Sequence, residues 1–234
     1  MTALAFDVVG FDLDGTLLDT SADLAGALNH ALAAAGRTPL TTGQVKPMVG
    51  DGVKRLLERG LAATGGPAPE EIDRLYHVLL DHYEANISAG TRPYPGMTDA
   101  LDRLDAMGIK LAVCTNKLER LARQLLEETD LGDRFACVIG GDTMGSGNAK
   151  PSAAPIQEMI ARCGGGRAAF VGDSINDVIA ARNAGIPSIV VSFGFPNGPV
   201  EALGADCVID HFDELVPMLD RLGSAPGARE RVIA

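Results

Sequence analysis

Short apolar runs recur along the chain, and each stops at a polar or glycine-containing break. The first, residues 5–11 (AFDVVGF), ends at Asp12. Others occupy 109–114, 135–139, 168–172, 187–192 and 206–209. Runs this short and this apolar predict strands buried on both faces. Between most of them lie stretches with helical patterning, at 96–107, 117–129, 152–163 and 175–184. Strands alternating with helices predict an α/β fold, a parallel sheet covered by helices on both faces. Ligands of such sheets sit beyond the carboxyl ends of the strands.

One interval breaks the alternation. The stretch between the first run and the run at 109 is far too long for one crossover. It reads as helix at 21–36, about 50–64 and 69–86. An inserted helical subdomain is predicted, spanning 19–91, with the core domain formed by 1–18 and 92–222. Its hinges are expected near Leu18–Ser21 and at 89–95 (AGTRPYP), where glycine and proline cluster. The remainder, 223–234 (GSAPGARERVIA), reads as a flexible tail.

Composition narrows the function classes. Of the 234 residues, 46% are apolar and 22% charged, as in an ordinary globular protein. The formal net charge of −11 repels nucleic acid and anionic membrane, so neither is an expected partner. It also repels phosphate esters, so any phosphate site must be offset locally by metal or lysine. The four cysteines, Cys114, Cys137, Cys163 and Cys207, lack metal-site or redox spacing. They read as reduced, small apolar residues. The first fifteen residues lack a basic segment, and acids interrupt their apolar run, so neither a signal peptide nor a membrane span is expected. A cytoplasmic location is the expectation.

The chemistry-bearing positions fall at strand ends. Phe11-Asp12-Leu13-Asp14-Gly15-Thr16-Leu17 puts two carboxylates two residues apart just past a buried strand. In extended geometry both point the same way, and so close a pair needs a cation or a proton. Gly15 permits a tight turn and a close backbone approach. Val171-Gly172-Asp173-Ser174-Ile175-Asn176-Asp177 again follows an apolar run, with Asp173 and Asp177 flanking a turn into a helix. Alone that is an ordinary helix cap. Beside the first motif it becomes a second source of carboxylate ligands for a hard cation such as Mg²⁺. The run at 109–114 leads into Thr115-Asn116-Lys117, a hydroxyl, an amide and an ammonium available to phosphate oxygens. Lys150 precedes a helix and supplies positive charge that phosphate and several carboxylates together require.

These four stretches, in this order, resemble the haloacid dehalogenase superfamily of phosphohydrolases, and the resemblance covers the chain except its tail. It implies a Rossmann-like parallel core with an all-helical cap as the insertion. It implies Mg²⁺ as cofactor, bound by Asp12, Asp14 and Asp173, with Asp14 contributing its backbone carbonyl. By position, Asp12 would attack phosphorus. Asp14 would protonate the leaving oxygen and later activate water. Lys150 would bridge Asp12 and phosphate, and Thr115 and Asn116 would hold the phosphoryl group. Gly15, Thr16 and Asp177 would support the site, Asp177 through water or by orienting Lys150.

Within the superfamily the chain looks closest to phosphoglycolate phosphatases, on Thr115-Asn116-Lys117, Gly140-Gly141-Asp142, Val49-Gly50-Asp51-Gly52 and Tyr94-Pro95-Gly96. The segment before Lys150 (TMGSGN) and the Ser-Ala-Ala after Pro151 depart from that pattern. Gly50, Asp51, Gly52 and Lys54 are the candidates for substrate selection, Gly50 and Gly52 through their backbone and Lys54 through a substrate carboxylate. The expected partner is a small phosphorylated metabolite, and the expected form a monomer or homodimer. The alternatives are another small-molecule phosphatase of the superfamily, a phosphosugar mutase resembling β-phosphoglucomutase, or a receiver-like signalling domain. His30, His77, His82 and His211 lack ligand spacing and read as surface or cap residues.

Overall fold

The computed structural model describes residues 4–66, 69–196 and 198–224. Strand β1 (Val8–Phe11) is completely buried and leads through a tight turn to β2 (Leu18–Asp19). Four helices follow: α1 (Ser21–Ala34), α2 (Thr42–Val45), α3 (Val53–Ala63) and α4 (Ile72–Ala85). The chain returns through β3 (Arg92–Pro93), which pairs antiparallel with β2. Helices and strands then alternate: α5 (Met97–Ala106), β4 (Lys110–Cys114), α6 (Glu119–Glu128), β5 (Cys137–Ile139), α7 (Ala154–Arg162), β6 (Ala168–Gly172), α8 (Ile175–Asn183), β7 (Ser188–Val191), β8 (Cys207–Ile209) and α9 (Leu215–Ser224).

Six strands form one parallel sheet in the order β5-β4-β1-β6-β7-β8. The predicted fold class is therefore the observed one. From β1 the chain builds outward to β5 on one side, then crosses back and builds outward to β8 on the other. The strand order reverses at β1, and such a reversal opens a crevice at the carboxyl ends of β1 and its neighbours. Asp12, Thr115 and Asp173 each follow one of those three strands.

Both faces of the sheet are covered, which is why its strands are uniformly apolar. On one face Ile156, Met159 and Ile160 of α7 pack with Ala180, Ala181 and Phe170. The fit is close at Gly10, where a Cβ would overlap Met159 and Phe170. On the other face Val9, Phe11, Val113 and Leu101 join a larger apolar cluster. That cluster continues into the inserted helices through Leu24, Leu28, Leu57, Leu79 and Tyr83. The helical insertion therefore shares its apolar packing with the core.

The hinge is more ordered than glycine and proline suggest. Besides the β2–β3 pairing, buried Asp23 of α1 accepts hydrogen bonds from Gly90 N and Thr91 Oγ1, both at 2.7 Å. Two details differ from the sequence-based expectation. Helix α9 was not anticipated, and Gly223 and Ser224 belong to it rather than to a tail. Its Leu215, Val216 and Leu219 are buried. The rest of the expected tail, 225–234, lies outside the described residues. Among the described residues, no helix is long and apolar enough to cross a membrane. All four cysteines are free, as expected.

Candidate active site

Asp12 leaves β1 directly into the crevice and is almost fully buried. Its Oδ1 accepts the N–H of Leu13 at 2.8 Å and stands 3.0 Å from Lys150 Nζ. Burial pushes the Asp12 carboxyl from 3.8 up to about 6, with Lys150 acting against the rise and Asp177 and Asp14 reinforcing it. Lys150, itself buried, also donates to Asp177 Oδ1 at 2.6 Å. Burial opposes its charge, yet Asp12 and Asp177 outweigh that effect and hold the ammonium above its usual range.

Asp177 in turn is fixed by its own helix. Its Oδ2 accepts Ser174 N at 2.9 Å and Ser174 Oγ at 2.6 Å, the capping box that starts α8, and Asp173 N at 3.2 Å. A cap residue therefore also orients the lysine. Asp173 accepts Phe195 N at 2.7 Å, and Thr16 Oγ1 approaches its other oxygen at 3.5 Å. Burial first, and Asp177 and Asp12 beside it, raise the Asp173 carboxyl well above the usual carboxylate range.

One oxygen from each of Asp12, Asp173 and Asp177 falls within 4.8 Å of the others. Three buried carboxylates face one buried ammonium here, so ionisation leaves two negative charges uncompensated. Hard divalent cations bind such oxygen-only sets, and the charge deficit matches one divalent ion. The residues present therefore fit Mg²⁺. Gly15 adopts φ +84°, and a Cβ there would strike the Asp173 carboxylate and the Phe195 ring. The glycine thus lets the first motif's turn lie against the Asp173 carboxylate.

Asp14 lies apart from this cluster. Both its oxygens are 2.8 Å from Lys117 Nζ, and that ammonium sits 4.7 Å from the centre of the Tyr83 ring, on α4 of the insertion. Lys117 was expected to be free for phosphate oxygens; it is instead buried and engaged with Asp14. Burial works against its charge, and Asp14 and Tyr83 together more than offset it, raising the group overall.

Asn116 also differs from expectation. Its amide donates at 3.0 Å to Gly50 O and to Lys150 O, joining the insertion's loop to the lysine's backbone. Both amide protons are thus used, while Thr115 Oγ1, which accepts Lys117 N at 3.3 Å, keeps its own proton available.

A small chamber lies between the insertion and the strand ends. It is lined by Asp12, Asp14, Thr115, Asn116 and Lys117 from the core. Leu24, Val49, Gly50, Gly52, Val53 and Leu56 line it from the insertion. Gly50 and Gly52 therefore stand where predicted. Lys54 does not: it lies outside this chamber on an open groove, 3.9 Å from Asp73, with 60% of its side chain exposed. Its place on the first turn of an amphipathic helix turns it to solvent while Val53 and Leu56 turn inward. Asp51 also points away, toward Arg59 and to Asn176 Nδ2 at 2.6 Å, so it joins the insertion to α8.

Sequence reading passed over the loop after β7. Gly194 packs so tightly on Asp173 and the Gly15 carbonyl that a Cβ would overlap both, and Phe195 donates its N–H to Asp173. The sequence signal there is weak: Gly194 is the third residue past β7, and Ser192–Phe195 carries none of the carboxylates or amides that marked the other strand ends.

The family model described as haloacid dehalogenase-like hydrolase matches residues 9–191. The chain belongs to this family. A phosphoglycolate phosphatase of Agrobacterium fabrum is 47% identical over 212 residues, covering 89% of this chain and 90% of the relative. One from Caulobacter vibrioides is 46% identical over 207 residues, covering 87% and 86%. Among solved structures, one described as a predicted phosphoglycolate phosphatase from Haemophilus somnus 129PT superposes with a TM-score of 0.85 at 28% identity. That match covers 93% of this chain and 99% of the other. The expectation of an enzyme is borne out: the family is one of hydrolases, and these relatives are named as phosphatases.

Proposed function

We propose that this chain is a magnesium-dependent phosphatase that converts 2-phosphoglycolate to glycolate and phosphate through an aspartyl-phosphate on Asp12. The observation that carries the chemistry is the setting of Asp12. One of its oxygens is held by Leu13 N–H and Lys150, which leaves the other for attack. The substrate rests on the relatives' names, which come from proteins matching nearly the whole chain, and on the small chamber above Asp12.

In this reading the free oxygen of Asp12 bonds to phosphorus while the ester P–O bond breaks. Asp14, once it has left Lys117 and taken up a proton from solvent, gives that proton to the departing glycolate oxygen. It then takes a proton from the water that attacks phosphorus and frees Asp12. One carboxylate serving as acid and then as base splits the hydrolysis into two easier steps. Lys150 supplies fixed positive charge where a carboxylate must approach a phosphate. The Thr115 hydroxyl donates to a phosphoryl oxygen. Asp12, Asp173 and the Asp14 backbone would hold Mg²⁺, which when bound offsets the charge shared by carboxylates and phosphoryl oxygens. Asn116 keeps the Gly50 loop in register with Lys150 rather than holding phosphate through its side chain. Four free cysteines support a reducing, cytoplasmic setting.

The test is phosphate release from a panel of phosphomonoesters, with Mg²⁺ and with chelator. Expected are a preference for 2-phosphoglycolate, loss of turnover in chelator, and a fall of at least about 1,000-fold in Asp12→Asn. Turnover by Asp12→Asn equal to wild type would overturn the nucleophile. Hydrolysis of other esters without that of 2-phosphoglycolate would overturn the substrate.

A further inference from the structure

An anion of two ends needs two sources of positive charge. The phosphoryl end of the proposed substrate has Lys150 and the metal set. The other end, a carboxylate one carbon from the ester oxygen, must be met inside the chamber or left desolvated and unpaired, at a prohibitive cost.

Among the described residues, the insertion offers no cation there. Lys54 stands beside Asp73, Arg55 pairs with Glu58, Arg59 with Asp51, and Lys46 with Asp19. The insertion's contribution to the chamber wall is Leu24, Val49, Val53, Leu56 and two glycines. Among the described residues, the one cationic side chain lining the chamber is Lys117.

Lys117 is committed to Asp14 in this structure, through two N–H···O contacts of 2.8 Å. Asp14 cannot serve the leaving oxygen while both its carboxylate oxygens face Lys117. When Asp14 turns to the ester, a buried ammonium loses its partner. A substrate carboxylate restores one. The Tyr83 ring, 4.7 Å from the ammonium, limits where it can move.

We propose that Lys117 is the specificity residue of this enzyme: it exchanges Asp14 for the substrate's carboxylate. The substrate class is then phosphate esters of short hydroxy acids, and the exchange couples substrate recognition to release of Asp14. This rests on the hydrolase reading above and deepens it.

The experiment compares 2-phosphoglycolate with ethyl phosphate, which has the same ester and no carboxylate. Because Lys117 also touches Asp14, any substitution there is expected to slow both substrates, so the quantity read is the ratio of the two kcat/KM values. In Lys117→Met that ratio should fall by at least about 100-fold, mainly through KM for 2-phosphoglycolate, the scale for losing one partner of a buried charge pair. Lys117→Arg should keep most of the ratio. Lys117→Gln, which still donates to Asp14, is the second neutral variant if Lys117→Met melts below the assay temperature, and it should lose the ratio as well.

A ratio unchanged within about threefold in the neutral variants, with both substrates slowed together, would overturn the assignment and leave Lys117 as a positioning residue for Asp14. A wild type that does not prefer 2-phosphoglycolate to ethyl phosphate would instead remove the substrate reading, and the carboxylate contact with it.

Discussion

At the scale of single residues, the site is a problem of charge in a dry place. Burial raises the Asp12 and Asp173 carboxyls above the usual range, against the pull of Lys150. For Asp12 this sets a sign. Its folded value of about 6 exceeds the ordinary 3.8, so between those values the native protein retains a proton that the unfolded chain releases. The stability contributed by this group is fully present below 3.8 and is lost as pH rises through about 6. A shift of that size corresponds to about 3 kcal/mol. Denaturant titrations of metal-free protein across this range should show stability falling with pH, and Asp12→Asn should flatten that slope. Added Mg²⁺ should recover the loss at the upper end, where the carboxylates are charged and available. A wild type no more pH-sensitive than Asp12→Asn in chelator would contradict this account of Asp12.

At the scale of elements, some of the polar contacts between the insertion and the core bear on the chamber and others lie outside its lining. Asn116 bonds Gly50 and Asn176 bonds Asp51 at the chamber loop, whereas Ser88 bonds Glu128, and Glu84 meets Arg120 and Gln124, outside the chamber lining. The Asp51–Asn176 contact lies at the surface and is separate from the reacting groups. Asn176→Ala should therefore leave global stability within about 0.5 kcal/mol. It should lower kcat/KM by about tenfold by weakening closure of the Gly50–Gly52 loop on the chamber. Faster amide exchange confined to residues 48–54 would accompany it. Unchanged exchange there, with normal kinetics, would show that this contact does not hold the loop. The hinge itself was legible only as a clustering of glycine and proline. The β2–β3 pair consists of two residues on each side, too short to carry a periodic pattern.

At the scale of the whole molecule, a chain of net charge −11 must admit a multiply charged anion. The positive charge proposed to receive it, Lys117 and Lys150, is buried, so an approaching phosphate ester meets the acidic exterior first. Salt screens that repulsion over roughly a Debye length of 10 Å at 0.1 M. Raising monovalent salt at constant Mg²⁺ should therefore increase kcat/KM for 2-phosphoglycolate by about two- to fivefold. A steady fall in kcat/KM over the same range would indicate that the exterior attracts the substrate.

The sequence by itself determined the fold class and singled out the strand-end groups that the structure gathers around Asp12. Buried parallel strands must be continuously apolar, and their ends are where polar residues first become possible, so Asp12, Thr115 and Asp173 stand out in one dimension. Lys150 was legible for the same reason of charge balance. Only the tertiary structure decided which cation meets which anion. Lys117 and Lys54 look alike in sequence, each a lysine in a plausible place. The sheet carries one inward to Asp14, and an amphipathic helix turns the other out beside Asp73. The Lys117–Asp14 pairing joins residues 103 positions apart and leaves no local pattern. The Gly194–Phe195 loop, packed on Asp173 across 22 residues of chain, escaped for that reason too.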